Sequence, residues 1–285
     1  MTININNEIP IALTSPMIGE FGWIVFDLQQ RVRAFFEAYP EHRKIVICHP
    51  SMEELFELAD DVLSITMPDG FTPCGRGAED GPFNTKEFYD TVHKTVVESV
   101  KPDVYMKLEY ENRFDDLDGD KTERNFSADS IVEEEKYMTI SCRSISPRGA
   151  SKNWAPAKYD ELVGRIRDEY DLPIYLVGLP EDNYLPDGVK LIKTKTVKDH
   201  IALLHNSIMH FGSNTGTSHL ALLSGCPVVT WGDSDSLYNR MVYETNPFSI
   251  PIKCLKGTWD PSVDDVYNEL KIFFERLTRE NSYHG

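Results

Sequence analysis

Phe211-Gly212-Ser213-Asn214-Thr215-Gly216-Thr217-Ser218-His219 leads out of an apolar, strand-forming stretch into the helical run Leu220-Ala221-Leu222-Leu223, which stops at Gly225-Cys226-Pro227. Small and hydroxyl residues at a strand-to-helix junction leave the first helical N–H groups free and put the positive end of the helix dipole behind them. Together these make an anion site able to take a diphosphate. The same residues also serve as an ordinary Ser/Thr N-cap, and a single histidine such as His219 is most simply a packed helix residue.

Outward from this junction, short strands alternate with helices, the signature of βαβ units around parallel sheets. Strands are expected at 136–142, 174–177, 190–192, 207–211 and 227–231, with helices at 157–169, 197–205, 217–223 and 261–277. Upstream, a first set has strands at 10–14, 44–48, 62–67 and 103–108 and helices at 23–36, 52–59 and 85–100. The chain therefore reads as α/β, with two Rossmann-like domains at 1–110 and 136–260. Between them, Glu109 to Lys136 holds eleven acids and four bases with little apolar periodicity, and 111–135 reads as an acidic linker. The aspartates Asp115, Asp116, Asp118 and Asp120 invite a calcium loop, but Gly119 falls at the wrong position and no bidentate Glu follows.

A second cluster of anion-handling residues follows the strand at 136–142. Arg143, Arg148 and Lys152 lie in a Ser-Pro-Arg-Gly-Ala-Ser-Lys-Asn-Trp loop at the carboxyl end of a strand, where ligands bind in parallel α/β sheets. Lys190, Lys193, Lys195 and Lys198 add cations to the same half. This matters because the 285 residues carry a net charge of −17, which repels polyanions at long range and demands a local basic cleft for any phosphate. No P-loop is present, and Gly75-Arg76-Gly77 with Gly81 follows no strand and opens no helix. The five cysteines form no CxxC pair, which argues against a disulfide framework or zinc knuckle and fits a reducing cytoplasm. No stretch has the form of a signal peptide or spanning helix.

The order of a Lys-x-Trp loop, the strand ending Val177-Gly178-Leu179-Pro180-Glu181, then Asn214 to Ala221 and Gly225-Cys226-Pro227-Val228-Val229, resembles the C-terminal domain of the heptosyltransferase-like glycosyltransferases. The resemblance covers Tyr137 to Asp233. A shorter match, Gly19-Glu20-Phe21-Gly22, is similar to the family's glycine-acid loop in the first domain. It implies a GT-B fold, two Rossmann-like domains facing a central cleft, with the helix 261–285 crossing back to the first domain. It implies that Lys152 holds donor phosphates, Glu181 the nucleoside, and Thr215, Gly216, Thr217 and Ser218 the pyrophosphate, with His219 at the family's histidine; Arg143 and Arg148, from their place in the loop after the strand at 136–142, are expected at the same donor site. Asn214 stands where relatives carry Asp, so a carboxylate contact to the sugar becomes a neutral amide. Glu20 is implied as the base, with Asp27, on the helix that follows, as its rival. Gly19, Phe21, Gly22 and Trp23 are expected beside the acceptor, with Arg76 in the 68–86 loop.

The expected activity is inverting transfer of a sugar from a nucleotide-sugar donor to an acceptor hydroxyl. No cofactor or metal is expected, although Asp233-Ser234-Asp235 has the form of a metal-binding DxD triplet. The acceptor is a saccharide or, alternatively, a hydroxymethylated base in DNA. A nucleotide-sugar epimerase and an inactive sugar-nucleotide binding module remain as competing classes.

Overall fold

The structure, a computed structural model, describes residues 9–17, 21–48, 52–64, 86–107, 120–145, 152–192 and 196–282. The chain divides into two compact units, Met1–Arg124 and Asn125–Gly285. Glu20, Gly19, Arg76 and Arg148 lie outside the described residues, as do Lys193, Lys195 and the calcium-like aspartates other than Asp120.

The first unit is built on β1 (Ile11–Thr14), β2 (Arg43–Cys48), β3 (Asp61–Ser64) and β4 (Val104–Met106). All pairings are parallel, in the order β3-β2-β1-β4. Ile11, Leu13, Ile45 and Ile47 alternate along β1 and β2 and meet Val100 at the end of α3 (Lys86–Val100), the period-two pattern of a buried sheet face. The helix after β1 has three parts: α1 (Phe21–Trp23), a π-helical turn Ile24–Leu28, and α2 (Gln29–Ala38). The expected helix at 52–59 is only a 3-10 turn, Glu53–Phe56. Its Glu53-Glu54 start and neighbouring Ala59-Asp60 leave too few apolar positions for a longer packed face.

The second unit holds β5 (Met138–Ser141), β6 (Ile174–Leu176), β7 (His210–Ser213), β8 (Val228–Trp231) and β9 (Ile252–Leu255), all parallel in the order β6-β5-β7-β8-β9. Helices α4 (Pro156–Tyr170), α5 (Val197–His205), α6 (Gly216–Leu223), α7 (Asp235–Asn239) and α8 (Val263–Ser282) complete it. The strand expected at 190–192 is a single bridge, Tyr175 to Lys190. By contrast β9 was not expected, because Ile252-Lys253-Cys254-Leu255 is a four-residue edge strand with a lysine in its middle. Helix α8 turns Val263, Val266, Leu270, Phe273 and Leu277 into the core of its own unit and packs on α4, with Tyr170 and Phe274 rings 4.6 Å apart.

The described part of the supposed acidic linker is tied down at both ends. Thr122 N–H donates to Gln30 O (3.1 Å) in the first unit, and Phe126 N–H donates to Leu223 O (2.7 Å) in the second, where the Phe126 ring is fully buried. Glu134 accepts from Tyr175 (2.5 Å) and pairs with Lys190, and those contacts hold its carboxyl down at about 2. Single anchors such as Phe126 in a charged stretch leave no periodicity to read.

Candidate donor site at the switch point of the second sheet

In the order β6-β5-β7-β8-β9 the chain winds outward from β5 in one direction, then returns to β7 on its other side. Neighbouring strands whose connections leave in opposite directions open a crevice outside their carboxyl ends, the usual ligand position in doubly wound sheets. Here that crevice lies between Ser141-Cys142-Arg143 and Ser213-Asn214-Thr215. The two strands approach closely because β7 has a glycine there. A Cβ on Gly212 would lie 2.6 Å from the Ser141 carbonyl oxygen. Below the crevice, fully buried His210 bridges the strands, at 3.2 Å from Thr139 Oγ1 and 3.3 Å from Ser141 Oγ. Burial pushes its imidazole down to about 3, so it is a neutral strut.

On the β7 side, Asn214 N–H donates to Trp231 O (3.1 Å) and locks the strand end to β8. Thr215 occupies the N-cap of α6 in extended conformation, but its side chain does not cap the helix. It pairs instead with the Thr217 hydroxyl at 2.7 Å. The N–H groups of Gly216 and Thr217, ahead of the helical ladder, are therefore left to face whatever binds there. Among the described residues, Asn214 Nδ2 and Ser218 Oγ are two of fifteen buried side-chain atoms with no hydrogen-bond partner, and these two lie at the start of α6. Donors left over beside the N–H groups that open α6 are of the kind that suits an acceptor-rich ligand.

Cations flank this cradle. His219, in the first turn of α6, is pushed down to about 3 by burial and further by the charges of Arg240 and Lys152. The ammonium of Lys152 also rests 5.0 Å from the centre of the Trp259 ring. Arg143 is held by Asn153 Oδ1 (2.8 Å), whose own amide donates to Ile145 O (2.7 Å). Glu181 is exposed in the 3-10 turn Pro180–Asp182 after β6. That turn is fastened to the end of β5 by Asn183, whose Oδ1 accepts from Cys142 N–H at 2.9 Å. Gly178 allows this packing, with φ of +116° and a Cβ position 2.6 Å from Asn183 Nδ2. The structure thus brings Arg143, Lys152, Glu181 and Asn214 to His219 to the carboxyl edge of one sheet. Arg240, Thr245 and Trp259 join them unannounced. The one sequence signal for Arg240 is its place in the segment after β8, nine residues past Trp231 and directly after α7.

Other expectations fare differently. Asp233-Ser234-Asp235 starts a short helix: Ser234 Oγ accepts from Leu237 N–H (3.3 Å), and Asp235 lies 3.2 Å from Lys256. In the first unit, Asp27 sits in the π-helical turn with its side chain fully buried. Arg31 Nε donates to it at 2.8 Å and Lys121 pairs with its other oxygen, so it is an ion-pair anchor and not an accessible base. Phe21, Gly22 and Trp23 form α1, directly after Glu20 in sequence. That helix follows β1, which is also flanked by strands reached in opposite directions, β2 and β4. The first unit therefore has its own switch point where the chain leaves β1. The four described cysteines, Cys48, Cys142, Cys226 and Cys254, are buried free thiols pushed up by that burial, to about 12 at Cys48 and Cys226.

Two all-parallel, doubly wound units in succession define the GT-B fold. Solved structures bear this out. Heptosyltransferase II of E. coli, an ADP-heptose LPS heptosyltransferase, matches 93% of this chain and 99% of its own at 13% identity with a TM-score of 0.62. The E. coli heptosyltransferase WaaC with ADP matches 92% of this chain and all of its own (100%) at 10% identity and TM-score 0.56. A UDP-N-acetylglucosamine 2-epimerase matches 95% and 90% at 12% identity and TM-score 0.51. No protein-family model and no curated protein sequence matches the chain. Among the described residues, no helix is long and apolar enough to cross a membrane.

Proposed function

We propose that the protein is an inverting glycosyltransferase that takes a nucleoside-diphosphate sugar on its second unit and passes the sugar to a saccharide hydroxyl. The observation that carries this reading is the pair of partnerless buried groups, Asn214 Nδ2 and Ser218 Oγ, beside the open N-terminus of α6, with Lys152 and Arg240 close enough to depress His219. Positive charge and hydrogen-bond donors at one crevice fit a diphosphate leaving group. The likeness to a heptosyltransferase solved with ADP supports the same ligand class.

In the reaction the acceptor oxygen attacks the anomeric carbon from the face opposite the diphosphate. The new C–O bond forms as the bond to the phosphate oxygen breaks, and the acceptor proton passes to a base. Glu20 is that base in this proposal, since Asp27 is closed off by Arg31 and Lys121. Preorganised donors at the leaving group supply the larger share, each typically about 3 kcal/mol, and a general base adds about 10²- to 10⁴-fold. No metal is required in this scheme, because protein cations and helical N–H groups balance the diphosphate.

The test is a mass shift of candidate acceptors incubated with a panel of nucleotide sugars, paired with Glu20→Gln. Turnover is expected to fall 10²-fold or more in that variant, with diphosphate affinity within a few-fold of the wild type. An isomerised nucleotide sugar without transfer would move the protein to the epimerases. Modification of hydroxymethylated duplex, with steep loss of activity as salt rises, would replace the saccharide acceptor by DNA.

A further inference from the structure

Lys152 and Trp259 each stand a few residues ahead of a long helix, α4 and α8, and those two helices pack side by side. The ammonium of Lys152 is 5.0 Å from the centre of the Trp259 ring, and both residues are half-buried. The ring is fixed from several sides. Thr258 N–H donates to Gly232 O just past β8 (3.1 Å), and the edge of the ring lies against Gly232, where a Cβ would stand 3.4 Å from Cη2. After the ring, Asp260 N–H donates to Thr258 Oγ1 (2.9 Å), and the Pro261 carbonyl accepts from Trp154 Nε1 (3.0 Å) and Lys158 Nζ (3.1 Å). Lys152 has no comparable hold. Among the described residues no carboxylate pairs with it, and Asp260, the acid beside the ring, is taken by Lys158 at 2.6 Å.

We propose that Trp259 is a positioning residue for Lys152: its ring face holds the ammonium at the crevice with its charge unspent, ready for a phosphate oxygen of the donor. This rests on the donor-site reading above. A free lysine chain samples many rotamers, and ordering it when a ligand arrives costs affinity. In a chain of net charge −17 the usual way to order a lysine is an ion pair, but a carboxylate there would offset the charge the ligand needs and stand beside the phosphates as a like charge. An aromatic face attracts the ammonium through its quadrupole and leaves N–H donors to meet a ligand. The lysine is thus preorganised without being neutralised. Its charge reaches the first turn of α6, where after burial and Arg240 it adds to the depression of the His219 imidazole. The Lys158–Asp260 pair serves the same end, since it occupies the one acid that adjoins the ring.

Proton–carbon spectra of the full chain labelled at lysine Cε, with Lys152→Arg to assign the signal, report the contact without any ligand. The ε-methylene protons of Lys152 are expected upfield of the other lysines, shifted by the ring current, with the shift kept in Trp259→Phe and lost in Trp259→Leu. An unshifted Lys152 signal in the wild type overturns the proposal. Calorimetry with ADP and with UDP reads the role. Trp259→Leu is expected to weaken the diphosphate about 3- to 10-fold, and Trp259→Phe, which keeps a ring, less than about 2-fold. In a Lys152→Ala background Trp259→Leu should change affinity by less than about 2-fold, because the ring acts through the ammonium. Equal losses in both backgrounds would mean that the ring meets the ligand itself or only supports its loop, and no loss in either would mean that the ammonium needs no ring; each overturns the positioning role. Trp259→Gln takes the place of Trp259→Leu if the latter does not fold. Failure of both ADP and UDP to bind the wild type would instead sink the donor-site reading and the positioning role with it, while leaving the ring-current result standing.

Discussion

Ser218 buries a hydroxyl with no partner among the described residues, at a cost of roughly 1–3 kcal/mol relative to a satisfied group. Ser218→Ala removes that cost, so the variant is expected to melt at the same temperature or a few degrees higher while binding nucleoside diphosphate more weakly. Scanning calorimetry and titration on one preparation check both halves, and a drop in melting temperature would count against an unsatisfied hydroxyl. Lys152→Ala should cost more affinity than Ser218→Ala, since a charge-assisted contact is about twice as strong as a neutral one. Asp27→Asn is a different kind of change. It removes the buried carboxylate charge that Arg31 and Lys121 share, so stability should fall by about 3 kcal/mol, less whatever solvent screens at the half-buried Lys121. A denaturant midpoint unchanged from wild type would show that Asp27 is no anchor.

Strand β7 and helix α6 are the elements on which the second unit turns; the helix was legible in the sequence to within a residue, whereas the strand, expected at 207–211, lies at His210–Ser213. The run from Phe211 to Leu223 carries an apolar strand, a glycine where β5 comes close and a helix start rich in hydroxyls. Gly212→Ala is expected to destabilise by about 1–3 kcal/mol, because the Ser141 carbonyl it would strike is backbone within a paired strand and cannot swing aside. Equal urea midpoints for Gly212→Ala and wild type would refute this. Elements that depend on tertiary pairing were not legible. Strand β9 is an edge of four residues with Lys253 paired to Glu269 (2.8 Å), and nothing in its own composition outweighs the polar flanks. The π-helical turns at 24–28 and 240–244 leave no mark in apolar spacing either, though one carries Asp27 and the other Arg240. Arg240 and Thr245 reach His219 only through the fold, which is why a motif scan centred on Asn214 to His219 passes them over.

Across the whole molecule, the net charge of −17 and the cations Lys152 and Arg240 near His219 point in opposite directions, and under the proposed function it is this local crevice that would offset the long-range repulsion of a diphosphate. Acid should unfold the second unit through three buried histidines. Burial holds His200 down at about 4 and His210 and His219 at about 3, whereas in the unfolded chain each takes up its proton near 6.5. Their contribution is complete above pH 6.5 and is lost as pH falls toward the folded values, at about 1.4 kcal/mol per pH unit for each group. Melting temperature measured from pH 7 to 5 should drop steeply, and His200→Gln should lessen the slope by about a third. A flat profile would show that these rings are charged in the folded state. One further consequence follows from where the chain divides. Among the described residues, every strand of the first sheet ends before Arg124 and every strand of the second begins after Asn125, so no ladder is shared. A genetic crossover at that single peptide bond leaves both hydrogen-bonded sheets whole, so a lineage can exchange its front half while inheriting unaltered the half that carries the candidate crevice at β7 and α6.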